Sequence, residues 1–420
     1  MSNSELAKQV MERLDALGKI SEEPDRLTRS FGSPSMRKTN DLVASWMREA
    51  GMTVSEDAIG NLVGRYPGRD ERAKTFILGS HLDTVRDAGK YDGPLGVITA
   101  IACVKQLHEQ DLLLPFAVEV IGFADEEGVR FQTTYLGSKV LTGRFNEKDL
   151  RRFDSRGISM AEAIRAFGGD PDNLKSAARN PQQLLGYAEI HIEQGPVLEE
   201  KDQPVGVVSA IAGQSRIRVR FAGQAGHAGT TPMNMRRDAL AAAAKFIMAV
   251  EACARAYPGL VATVGQIEAR PGASNVIPGE VILSLDVRHQ QDGTRTSACA
   301  GLQETANHIG EKRSIDVDWE TIQEMQSTPC SRDLTGMFAK AAREHLMNVT
   351  ELPSGAGHDA AIMGEITPVA MLFVRCKGGI SHHPDESVLL EDVELAIAVT
   401  NDFLQHLGNQ QNPFSGKKRA

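Results

Sequence analysis

The chain repeatedly runs an apolar strand-like segment into a short polar cluster, and this pattern limits its fold more than any other feature. Thr75-Phe76-Ile77-Leu78 leads into Gly79-Ser80-His81-Leu82-Asp83, with Asp92-Gly93 close behind. Phe116-Ala117-Val118-Glu119-Val120-Ile121-Gly122-Phe123 leads into Asp125-Glu126-Glu127-Gly128. The alternating stretch Tyr187 to Glu193 carries His191, and the apolar stretch Val369 to Val374 precedes Ser381-His382-His383-Pro384. Near-continuous apolar runs of this length read as strands buried on both faces. Helical patterns lie between them, over 3–18, over 35–51 with Gly51 as a C-cap, and from Gly96 to Leu107. Strands alternating with helices predict an α/β fold with a central mixed sheet flanked by helices. In such sheets functional sites gather outside the strand ends, which is where the polar clusters fall.

At 420 residues the chain is long enough for two domains. Around Gly213 the pattern changes: Arg216-Ile217-Arg218-Val219-Arg220-Phe221 alternates strictly, as a half-solvated strand does. An Ala-rich helix from Arg237 to Ala256 follows, then strands over 260–269 and 280–288, a helix over 295–311 and a strand over 314–321. This β-α-β-β-α-β order is ferredoxin-like. It predicts a domain at 213–324 inserted into a first domain made of 1–212 and 325–420. The last helix is expected over 391–407, and the polar, basic tail 408–420 is expected to be disordered.

The formal net charge of −9 disfavours a general nucleic-acid or anionic-membrane surface, while leaving room for a small anionic substrate met by local charge. No apolar run reaches the ~20 residues of a membrane span. The start, Met1-Ser2-Asn3-Ser4-Glu5, lacks the basic and apolar segments of a secretory signal. The five cysteines are scattered, without a Cys-x-x-Cys, as in a reduced cytoplasmic protein.

Imidazoles and carboxylates together suit Zn²⁺ or Mn²⁺. The clusters hold more of them than one four-coordinate ion takes, and they fit two divalent ions sharing a carboxylate. Glu126 and Glu127 are adjacent, so on a regular strand they would point to opposite faces. Both can serve one site only where the strand ends and the chain turns, and Gly128 permits such a turn.

The ordered set of motifs resembles the zinc-peptidase superfamily of aminoacylases and co-catalytic carboxypeptidases. It is most similar to the branch of amidases that cleave N-carbamoyl and ureido compounds. The segments carrying this are Gly-Ser-His-Leu-Asp-Thr-Val at 79–85, Glu-Glu-Gly-Val-Arg-Phe at 126–131, His-Ile-Glu-Gln-Gly-Pro-Val-Leu-Glu at 191–199, Gly-His-Ala-Gly-Thr-Thr-Pro at 226–232 and Ser-Gly-Ala-Gly-His-Asp-Ala at 354–360. Within the branch, 131–138 and 371–376 are most similar to the members acting on allantoate.

The resemblance implies metal ligands His81, Asp92, Glu127, His191 and His382, with Asp92 bridging two ions and His383 as a close alternative to His382. It implies Glu126 as general base and Asp83 as the carboxylate orienting His81. His227 would help hold the substrate's carbonyl oxygen across a homodimer formed by the inserted domain. Gln214, Asn275 and Arg288 would bind substrate, Arg288 by a bidentate grip on a carboxylate. Gly357 and His358 would touch substrate too, or His358 would support Asp359. The activity implied is hydrolysis of a ureido carbon–nitrogen bond, allantoate first, with N-carbamoyl-L-amino acids or β-ureidopropionate as the alternative. A non-catalytic binding module on the same fold would need the base or a ligand to be missing, and Glu126 and all five ligands are present. The resemblance also leads us to expect a cis peptide at Asp92–Gly93.

Overall fold

A computed structural model describes residues 1–410. The chain forms two compact units: Met1–Ser209, Cys330–Leu352 and the chain from His358 onward make the first, and Ala210–Pro329 with Pro353–Gly357 the second. The second unit is therefore wider than 213–324, and it gains a five-residue piece from the C-terminal half. That piece is held by backbone and side-chain bonds within the unit, from Ala212 N to Ser354 O at 2.9 Å and from Arg288 to Gly355 O at 2.8 Å.

In the first unit the strands Ala117–Phe123, Thr75–His81, Leu184–Ile192 and Val369–Val374 lie side by side in that order, all parallel. Leu62–Tyr66 and then Thr53–Glu56 extend one side antiparallel, and Val205–Ile211 pairs antiparallel with Val369–Val374 on the other. The inner strands are buried along nearly their whole length, as their apolar runs require. Helices Asn3–Leu17, Pro94–Glu109, Arg332–Arg343 and Leu390–Asn409 close one large core over them. Within it Phe338 and Phe403 stack with ring centres 3.9 Å apart. The last helix runs to Asn409, past the expected start of the tail at 408, because the apolar spacing ending at Leu407 carries two further residues into its final turn. The rest of that tail, 411–420, lies outside the described residues.

Parallel packing puts the C-terminal ends of four neighbouring strands at one edge. His81 ends its strand, paired with Phe123, which ends the next. His191 pairs with Phe373 near the ends of theirs. The loops leaving that edge carry Asp92, Asp125 to Glu127 and His382.

The second unit is a four-stranded antiparallel sheet in the order Asp316–Met325, Gly213–Ala222, Glu280–His289, Val261–Arg270. Along Gly213–Ala222 the side chains of Ile217, Val219 and Phe221 point inward. They meet Ala239, Ala242, Ala243, Phe246 and Val250 of helix Ala239–Ala256, and Ala298, Leu302 and Ala306 of helix Asp292–Arg313. The small residues of the first helix let it lie close on the sheet. Arg216, Arg218 and Arg220 take the other face, each paired with a carboxylate on an adjoining strand. The expected β-α-β-β-α-β order is the order observed.

Candidate metal centre

Three imidazoles and two carboxylates meet at the strand edge of the first unit. His81, Asp92 and His191 each offer a ligand atom within 4.8 Å of the others, and so do Asp92, Glu127 and His382. Asp92 is common to both groups and divides its oxygens between them. Its Oδ1 lies 3.1 Å from His191 Nε2 and 3.5 Å from His81 Nε2, while its Oδ2 lies 3.1 Å from His382 Nε2. Two further groupings overlap these, His81 with Glu126 and Glu127, and Glu189 with His191 and His358. His383 lies outside both groups and faces Asp385.

The outer nitrogens of two of these rings are spoken for. His81 Nδ1 is 3.0 Å from the Asp83 carbonyl and His191 Nδ1 is 2.9 Å from the Ile192 carbonyl. A carbonyl accepts only, so each Nδ1 carries a proton, and in the neutral form of each ring Nε2 turns a lone pair inward. His191 Nε2 is buried and makes no hydrogen bond, although Asp92 Oδ1 is near. A buried ring nitrogen without a hydrogen bond, beside a carboxylate and a second inward lone pair, is the donor arrangement of a divalent-cation site.

The backbone shapes this centre. Gly93 has φ +80°, and a Cβ there would stand 2.5 Å from the His81 ring. Only glycine allows Asp92 to turn in against His81. The cis bond expected at Asp92–Gly93 is not found: the cis bond among the described residues is Arg270–Pro271. The left-handed glycine makes the turn instead. Gly128, at φ +69°, turns the chain after Glu127, and the Asp125 carboxylate closes that turn on the Gly128 amide at 3.0 Å. Glu126 and Glu127 thereby both face the site, each with an oxygen within 4.8 Å of His81.

Asp83 acts mainly on that turn. Its Oδ1 accepts the Glu126 amide at 3.0 Å and its Oδ2 the Glu127 amide at 3.1 Å, while His81 Nδ1 is 3.4 Å from its Oδ1. Behind it the fully buried Arg29 grips the Leu82 carbonyl at 2.7 Å, and its own amide donates to Thr84 Oγ1 at 2.9 Å.

Charge and burial set the protonation landscape. Burial, and then the neighbouring Glu127, push the Glu126 carboxyl well above its usual range. Burial and Asp92 push Glu127 up to about 7. Burial also works to raise Asp92, but the imidazoles of His191, His382 and His81 outweigh it and hold Asp92 well down. Asp92 in turn raises His382 to about 9.

Several contributing residues are not evident from the motifs. Glu189 is fully buried on the His191 strand, accepting from Ser80 Oγ at 2.9 Å and the Ala360 amide at 3.0 Å. Its position two residues before His191 in an alternating strand puts both on one face, which is a signal for it. Gln194 Nε2 donates to Asp92 Oδ2 at 2.9 Å, and Glu386 accepts backbone amides beside Asp92. His358 is buried with its ring edge-on to His191 at 4.5 Å, and burial followed by His191 holds it well below its ordinary range.

The remaining candidates belong to the second unit, where they form two pairs. Gln214 and Arg288 are cross-strand partners, and both reach Asp286: Gln214 Nε2 at 2.7 Å, Arg288 Nε at 2.8 Å and Nη2 at 3.1 Å. One edge of the Arg288 fork is thus occupied within the protein, and Nη1 donates to Gly355 O, two residues before Gly357. His227 pairs with Val276, and the Ala228 amide donates to the Asn275 carbonyl at 3.0 Å. His227 is exposed, and its Nδ1 accepts the Gly229 amide at 3.1 Å, so Nε2 carries the proton and is a donor.

Imidazoles and carboxylates gathered around a buried general-base candidate define the site of a metal-assisted hydrolase. The model of peptidase family M20/M25/M40 matches residues 77–406, and the chain belongs to that family. It is 41% identical to allantoate deiminase 1 of Glycine max, over 96% of this chain and 90% of that protein. It is 40% identical to an N-carbamoyl-L-amino acid amidohydrolase of Geobacillus stearothermophilus, over 93% and 96% of the two. The crystal structure of a hydantoinase/carbamoylase-family amidase from Burkholderia multivorans superposes with a TM-score of 0.89 at 31% identity, covering 95% of this chain and 97% of that one.

Proposed function

We propose that this chain is a metal-dependent amidohydrolase that cleaves a ureido carbon–nitrogen bond, with allantoate as substrate, yielding ureidoglycine or ureidoglycolate with ammonia and carbon dioxide. The observation that carries the reading is the pair of ligand groups sharing Asp92, with the buried Glu126 beside them. Two divalent ions, Zn²⁺ or Mn²⁺, would be held by His81, Asp92 and His191 and by Asp92, Glu127 and His382, and would supply polarisation of the carbonyl and a water of lowered pKa. Glu126 takes the proton of the attacking water and passes it to the leaving nitrogen, a task suited to a carboxyl whose pKa burial has raised. Asp83 fixes the backbone of that base. In the second unit, His227 offers its Nε2 proton to the developing oxyanion across a homodimer formed through that unit. Gln214, Asn275, Arg288, Gly357 and His358 bind the substrate, with Arg288 meeting its carboxylate through the guanidinium N–H groups that Asp286 and Gly355 leave free. Five cysteines without a disulfide support a cytoplasmic setting.

The likeness to an N-carbamoyl-L-amino acid amidohydrolase favours a second reading, hydrolysis of N-carbamoyl-L-amino acids or β-ureidopropionate, for which the same residues would serve. Kinetics on allantoate, several N-carbamoyl-L-amino acids and β-ureidopropionate separate the two. Allantoate should have the highest kcat/KM. In Arg288→Lys, KM should rise for every substrate bearing a carboxylate, since lysine keeps the charge and loses the planar fork. Preference for an N-carbamoyl amino acid would replace the first reading with the second.

A further inference from the structure

The Asp92 loop and the His382 loop come from opposite ends of the first unit's chain, yet both must present ligands to one centre. Glu386 joins them. The residue is buried, 4% exposed, and its Oε1 accepts the amide of Tyr91 at 2.9 Å and that of Asp92 at 3.0 Å. Its Oε2 is 3.4 Å from Ser381 Oγ, which also stands 3.2 Å from Asp92 Oδ2, so the single hydroxyl proton can serve either carboxylate. The Glu386 amide donates to the His383 carbonyl at 3.0 Å, folding 381–386 into a compact turn. His382, inside that turn, has φ +56°, a left-handed backbone that a non-glycine residue adopts only when its surroundings impose it. Across the joint the chain is packed to contact: a Cβ at Gly89 would stand 2.4 Å from the Glu386 side chain.

These contacts give Glu386 a task that neither ligand can perform. Asp92 is aimed by its backbone, and the two amides on Oε1 fix that backbone relative to the turn holding His382. We propose that Glu386 is a positioning residue for the metal centre: by accepting the Tyr91 and Asp92 amides from the turn that carries His382, it sets the separation of Asp92 and His382 and so the affinity of the Asp92–Glu127–His382 group for a divalent cation. The inference rests on the reading of Asp92 and His382 as ligands. It concerns the orientation of donors, since Glu386 lies behind Asp92 and acts through it.

Outer partners of metal ligands are generally worth 10–100-fold in affinity. In Glu386→Ala, the weaker of two Zn²⁺ dissociation constants, measured by chelator competition on folded protein, should rise by about 10–100-fold. Glu386→Gln keeps an oxygen that accepts both amides, so its affinity should lie close to that of the wild type. Glu386→Asp keeps the charge but is one methylene short of the amides, so it should weaken binding as alanine does; it carries the test if the alanine variant does not fold. A merely structural role would lower the unfolding temperature in chelator and leave the dissociation constants of folded protein alone. Natively folded Glu386→Ala or Glu386→Asp with wild-type Zn²⁺ affinity would overturn the inference, as would Glu386→Gln losing as much as alanine, which would make charge the agent. A wild-type protein that binds no second Zn²⁺ would strike the ligand reading itself and the inference with it.

Discussion

Asp83 holds Glu126 in place through the backbone: its Oδ1 accepts the Glu126 amide at 3.0 Å while its Oδ2 accepts that of Glu127 at 3.1 Å. A single carboxylate next to His81 thereby fixes the stretch that carries both the proposed base and a proposed ligand. Asp83→Asn retains the shape but turns one donor toward an amide. A buried donor left unpaired costs about 1–3 kcal/mol. Urea unfolding should show a loss of that size, and kcat should fall in the metal-loaded protein; unchanged stability and rate would contradict the role.

Glu126→Gln tests the base itself. The amide fills the same space and cannot accept the proton of water. Turnover should fall about 10²–10⁴-fold, the usual worth of a positioned acid–base group. Metal content should stay near that of the wild type, because Glu126 is outside the two groups that share Asp92. Wild-type turnover in pure, metal-loaded mutant would remove Glu126 from the mechanism.

Stripping the metal should make stability depend on pH in a defined direction. Glu127 and Glu386 are each raised from 4.5 to about 7, by burial and then by Asp92. A group raised in the folded state stabilises fully below its ordinary value and loses that contribution as pH climbs through the folded value. His382, raised from 6.5 to about 9 by Asp92, follows the same sign at higher pH. The unfolding temperature of chelated protein should therefore fall between pH 4.5 and 9. Zn²⁺ should raise it more at pH 8 than at pH 5, because the cation takes Glu127 in its charged form. A chelated protein equally stable at both ends would contradict these environments.

If His227 serves the partner's centre, two dead variants can repair one another. His227→Ala and Glu126→Gln, mixed and allowed to exchange, give mixed dimers in which one centre has both defects and the other has neither. With random pairing about half the dimers are mixed, so about a quarter of wild-type activity should return. No recovery in verified mixed dimers would confine His227 to its own subunit.

Much of this architecture is legible because buried parallel strands leave continuous apolar runs, as at Phe76–Leu78 and Val118–Phe123, and because polar residues at their ends have few structural uses. His81, Glu127 and His191 stand out as candidates in this way, and the resemblance gives them their roles. The strictly alternating Arg216–Phe221 likewise marks a sheet with one solvated face. Glu386 does not declare itself: its partners are backbone amides 294 and 295 residues away, and an amide has no sequence signature. The piece Pro353–Gly357 reads as part of a loop, and only the bonds from Ala212 and Arg288 assign it to the second unit. Asp286 is legible on the same grounds. It lies two residues from Arg288 on a strand, hence on the same face, and it takes one edge of the guanidinium that the resemblance gives wholly to substrate.

The proposal on which the others depend is hydrolysis of a ureido bond by the Asp92 centre loaded with a divalent cation. Its most direct test is ammonia release from allantoate by one preparation in three states: as purified, after exhaustive chelation, and after restoring Mn²⁺ or Zn²⁺. Activity should be lost on chelation, recovered on restoration of either or both ions, and absent from metal-restored Glu126→Gln. Undiminished activity in fully stripped protein would contradict the role of the metal, and fully loaded protein that releases ammonia from neither allantoate nor any N-carbamoyl amino acid would contradict the reaction.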